Sequence, residues 1–94
     1  QKRFPEAIDA LKMALELNTE YVPALQLLAE ILLTTGQIEE SVLLLDTAAE
    51  LSPDDIDILL LKGDAHECSG DTLEALRTYD TVIGILRGEK KRDK

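Results

Sequence analysis

Ninety-four residues suffice for one small domain, and below about 100 residues a single core is thin unless the architecture is economical or the chain is stapled. Only Phe4, Tyr21 and Tyr79 are aromatic within a hydrophobic content of 45%, and the single Cys68 and single His66 exclude an intrachain disulfide and the usual zinc ligand sets. The net charge of −9 is concentrated between Val22 and Leu86, where the two bases Lys62 and Arg77 stand against thirteen acids, a balance of −11. Such a body repels a phosphate backbone and makes nucleic acid a poor partner.

Taken in chain order, the apolar residues recur with the period of a helix, and glycine or proline punctuates them. Ala7, Leu11 and Ala14 form one stripe of a first helix, predicted over 5–18. A second is predicted over 22–35 and is stopped by Thr35-Gly36-Gln37, where the glycine can take the left-handed conformation that ends a helix. A third follows over 39–51. Pro53, Asp54 and Asp55 are read as the start of a fourth over 55–69, because proline is tolerated in a first turn and carboxylates suit the positive end of the macrodipole. Ser69-Gly70-Asp71 breaks the run again, and a fifth helix is predicted over 72–87. From Arg87 onward the chain reads RGEKKRDK, five basic residues against Glu89 and Asp93, a balance of +3 that would cap the negative pole of the last helix and could extend it. No apolar run approaches the roughly 18 residues a membrane span needs, and no segment alternates as a strand does.

The decisive feature is a repeat. Shifted against itself by 34 residues, the chain places Gly36 on Gly70, Glu40 on Glu74, Leu25 on Leu59 and Glu30 on Asp64. The same shift aligns Ala7 with Ser41 and Ala75, Leu11 with Leu45 and Tyr79, and Ala14 with Ala48 and Val82. A small, large, small triplet therefore recurs three times on one helix face.

The two units 22–55 and 56–89 resemble tetratricopeptide repeats. The first supplies Leu25, Ala29, Gly36, Ser41, Leu45, Ala48 and Pro53 at the family's positions; the second supplies Leu59, Gly63, Gly70, Ala75, Tyr79 and Val82. The segment 1–21 matches only the second helix of a unit. Departures fall at Leu25, Leu32, Leu59 and His66, where the family commonly places a large aromatic, and at Thr19 and Arg87, where it places proline. The resemblance implies an all-α, antiparallel helix-turn-helix solenoid of about five helices, in one domain over 1–94 with a charged tail at 87–94. With no initiating methionine and half a unit in front, the chain reads as an excerpt. Ile8, Leu11 and Leu15 should then be partly uncovered, and Ile83, Ile85 and Leu86 should lie near the other end. Two such ends imply self-association as an alternative role.

In this family the first helices of successive units line a concave groove. By resemblance its lining here is Pro23, Gln26, Glu30 and Leu33, then Asp57, Leu60, Asp64 and Glu67. Four of these eight are acidic and none is basic. The carboxylate-clamp members, which grip acidic C-termini of heat-shock chaperones, use Lys, Arg and Asn at such positions, so a protein or peptide of basic or amphipathic character is the expected partner. Chemistry has little to stand on. His66 and Cys68, two apart, point roughly 200° from each other on a helix. The histidine is expected to be a partly buried, hydrogen-bonded core residue and the cysteine a small half-exposed hydrophobe. Asp54, Asp55 and Asp57 lack the glycine and glutamate of a calcium loop. No phosphate loop, nucleophile elbow or HExxH is present, so no enzyme activity, cofactor or metal is expected.

Overall fold

The computed structural model describes residues 4–88. Within them the chain forms five helices, α1 (Phe4–Leu17), α2 (Val22–Thr34), α3 (Ile38–Leu51), α4 (Ile56–Cys68) and α5 (Thr72–Arg87). Each helix packs on the next in sequence, and α2 also touches α4. The result is two layers, an inner one of α2 and α4 and an outer one of α1, α3 and α5. The body is elongated, 43 × 29 × 20 Å, as expected when each helix packs mainly on its sequence neighbours.

The turns repeat as closely as the sequence does. After α2, Gly36 at φ +91° lets Gln37 N–H reach Leu32 C=O at 2.8 Å and its own N–H reach Leu33 C=O at 3.2 Å. After α4, Gly70 at φ +91° repeats this with Asp71 N–H on His66 C=O at 2.8 Å and its own on Glu67 C=O at 3.1 Å. Both are Schellman closures, which satisfy carbonyls the helix end leaves without partners and reverse the chain. The predicted breaks are thus observed. The start of α4 differs from expectation in one detail: Pro53 lies ahead of the helix, in a turn, and Asp55 is the N-cap, accepting from Ile58 N–H at 3.3 Å. Proline at 53 would otherwise have to fit a first turn that a carboxylate cap already begins. Asp71 caps α5 likewise, accepting from Glu74 N–H at 3.2 Å. At the far end α5 ends at Arg87, with Gly88 at φ +76° as its C-cap. From residue 89 the charged tail lies outside the described residues.

Leucine and alanine fill the interior. Leu28, Leu32, Leu45 and Ile58 are fully buried, each contributing about 1.5–3 kcal/mol of apolar burial. Ala29 and Ala48, both at 0% exposure, let helix backbones approach closely. Ser41 occupies the same kind of small position and satisfies its buried hydroxyl by donating to Ala29 C=O at 2.9 Å, tying α3 to α2. By contrast α1 contains no buried residue. Ile8, Leu11 and Leu15 are half-covered, as expected for a helix packed on one side.

Candidate interaction groove

The groove is built where α2 and α4 run side by side. Glu30 and Asp57 face solvent, Gln26 is half-buried, and with Leu60, Leu61 and Asp64 they line one shallow cleft of about 310 Å³. Five of the eight residues expected from the resemblance are therefore brought together. Pro23, Leu33 and Glu67 are not part of this lining: Pro23 is exposed at the start of α2, and Leu33 packs against the hydrophobic core. Glu67 lies one turn beyond Asp64. The cleft has a leucine floor, of which Leu60 is 41% exposed, and a rim of carboxylates. An aliphatic stem ending in a cation matches that layout.

Tyr79 completes the acidic side from an unexpected direction. Its ring lies beside Gly63, where an added Cβ would come within 2.5 Å of Tyr79 Cε1 and 2.8 Å of Cζ. The phenol then donates to Asp64 Oδ1 at 2.6 Å and to Glu67 Oε1 at 3.5 Å. These carboxylates push its pKa well above the ordinary phenol value: the hydrogen bond to Asp64 is the main cause, with desolvation and the two negative charges adding to it. Sequence reasoning placed Tyr79 only in the packing triplet. The available signal was Gly63, the single glycine among the small positions, set opposite the single aromatic among the large positions Leu11, Leu45 and Tyr79.

The chemical candidates behave differently. His66 is buried at 8% exposure, but its Nε2 has no hydrogen bond; the nearest carboxylate oxygen, Asp46 Oδ1, stands 3.5 Å away. The expectation of a hydrogen-bonded histidine is corrected in this respect: Asp46 on α3 stands beyond a good hydrogen-bond distance from it, and Lys62 Nζ lies 3.7 Å from the same oxygen. Cys68 is exposed, on the other side of the helix from His66. Among the described residues no group of three or more His, Cys, Asp or Glu is placed to hold a metal ion. None of the described helices is long and apolar enough to cross a membrane.

Paired helices in register, closed by identical glycine turns 34 residues apart, define a helical-repeat solenoid. A sequence profile of the tetratricopeptide repeat family matches residues 1–65, and the chain belongs to that family. Among solved structures it is similar to the crystal structure of MamA protein, with a TM-score of 0.83 and 23% identity. The alignment covers 99% of this chain and 53% of that one, so the chain spans about half the length of that structure. At this identity the likeness concerns the fold. No curated protein sequence matched the chain. As a tetratricopeptide repeat domain, the chain is of the kind that serves as a protein-interaction module.

Proposed function

We propose that the chain binds a basic or amphipathic helix in the groove between α2 and α4, using two repeat units, 22–55 and 56–89, and the half unit 1–21. The observation that carries this reading is the convergence of Gln26, Glu30, Asp57 and Asp64 around Leu60 and Leu61 in one cleft. Apolar contact supplies affinity there, and carboxylates select the sign of the partner's charge. Pro23, Leu33 and Glu67 are proposed only as flanking residues. A carboxylate-ended peptide would meet the three acids of the cleft, Glu30, Asp57 and Asp64, and no cation in its lining, so clamp-type recognition is disfavoured. A Leu- and Lys-bearing helical peptide titrated by fluorescence anisotropy should bind more weakly as salt rises. The combined Glu30→Lys and Asp64→Lys exchange should lower its affinity about tenfold at low salt without loss of helix content by circular dichroism. Binding indifferent to both would sink the groove reading. It would favour the second reading, a spacer stacked into a longer array, which rests on the exposed Leu76, Ile83 and Leu86 of α5.

A further inference from the structure

The two repeat units treat one groove carboxylate differently. Glu30 of α2 and Asp64 of α4 hold the same unit position, 34 residues apart, and both line the cleft. The carboxylates of Glu30 and Asp57 make no hydrogen bond or ion pair with a described residue, whereas Asp64 Oδ1 accepts from the Tyr79 hydroxyl at 2.6 Å. Asp64 Oδ2 has no such partner. In the first unit the residue corresponding to Tyr79 is Leu45, which is fully buried and carries no donor. The hold on Oδ1 comes from packing as well as from a short, charge-assisted bond. The ring is seated over Gly63, where any Cβ would meet it, and Ala29 stands at that position in the first unit. Glu67 Oε1, at 3.5 Å, is too far to compete well for the same proton. The raised pKa of the phenol keeps it a donor at neutral pH.

Resting on the groove reading above, we propose that Tyr79 is a specificity-determining residue of that site. By occupying Asp64 Oδ1 it leaves this carboxylate a one-oxygen acceptor, which selects lysine over arginine at that point of the bound basic helix. Arginine's advantage at a carboxylate comes from two parallel N–H···O bonds of a rigid fork, and the fork needs both oxygens. At Asp64 one arm of it would meet the phenol. Lysine brings a compact charge with three donors on a flexible stem and is served by one oxygen. Because Oδ1 is tethered, Oδ2 is also held in direction before the partner arrives, so less side-chain freedom is lost on binding. Glu30 and Asp57 keep both oxygens and accept either cation. The preference therefore belongs to one point of the groove, and its signature in the chain is the Gly63 and Tyr79 pair of the second unit.

The test titrates two dye-labelled helical peptides of leucine and alanine into the full chain at low salt, one with lysine at each cationic position and its twin with arginine there. Tyr79→Phe keeps the ring over Gly63 and removes the hydroxyl alone. It should raise the affinity of the arginine peptide relative to the lysine peptide by about threefold, as for one added hydrogen bond at an exposed carboxylate. In an Asp64→Asn chain the same exchange should leave that ratio unchanged, because the carboxylate it acts through is gone. A ring that mattered for packing alone would move both peptides together and would do so in either background. An unchanged ratio in Tyr79→Phe, or an equal change in the Asp64→Asn chain, overturns the proposal. The groove reading survives both of those results, provided the two peptides still lose affinity with salt and with the Glu30→Lys and Asp64→Lys exchange. Binding of neither peptide, or binding indifferent to those charge reversals, removes the groove reading and this inference with it.

Discussion

Gly63 and Tyr79 act as a coupled pair, and the rest of the array provides the comparison. The corresponding residues 34 earlier are Ala29 and Leu45, both fully buried. Glycine within a helix costs about 1 kcal/mol relative to alanine, so its presence at 63 calls for a reason, and the reason is the ring that an alanine Cβ would meet at 2.5 Å. The ring could move only by giving up the Asp64 hydrogen bond. Gly63→Ala alone should therefore lower stability by about 1 kcal/mol, overpacking outweighing the gain in propensity. In a Tyr79→Leu background, which copies the earlier pair, the same change should raise stability by about 1 kcal/mol. A double-mutant cycle by urea denaturation decides it, and additive effects would show that the two residues are independent. The phenol adds a pH signature. Its folded pKa lies above the unfolded value of about 10, so its contribution is fully present below pH 10 and is lost as pH rises from there through the folded pKa. Stability of the wild type should fall over that alkaline range, and Tyr79→Phe should flatten the decline in thermal melts.

At the level of helices, most of the structure was legible because its signals are local. Gly36 and Gly70 mark both closures, and the small, large, small triplets mark the outer helices without any knowledge of the partner helix. The eight groove positions were reached by family register, and register fixes only which side of a helix a residue occupies. That is why Leu33, although on the right side, ends against the core, and why Leu61, one residue off the expected stripe, lines the cleft. The approach of Tyr79 to Asp64 depends on a contact 15 residues apart between two helices, and no periodicity within one helix encodes it. The open hydrogen-bonding of His66 is of the same kind, since it depends on how far Asp46 of α3 stands from it. The helices also differ in security. With no buried residue, α1 should exchange its amide hydrogens first, while α4, which holds Ile58, Leu59, Gly63, Ala65 and His66 in the interior, should exchange among the last. Exchange measured by mass spectrometry at peptide resolution checks this, and uniform protection would contradict a neighbour-by-neighbour assembly.

As a whole molecule the chain offers two surfaces of different character, a groove of carboxylates over leucine and an end face of aliphatics. The groove belongs to α2 and α4 and the aliphatic face to α5, whose Tyr79 reaches back to Asp64 on α4. The chain connectivity has a consequence for how this object is made. Apart from α2 with α4, every helix interface joins segments adjacent in sequence. No distant ends must meet before a core can form, so the loop-closure entropy that slows sheet proteins is small at each step. Either hairpin, α2 with α3 or α4 with α5, can serve as the first structured piece, and the remaining helices add to it one turn at a time.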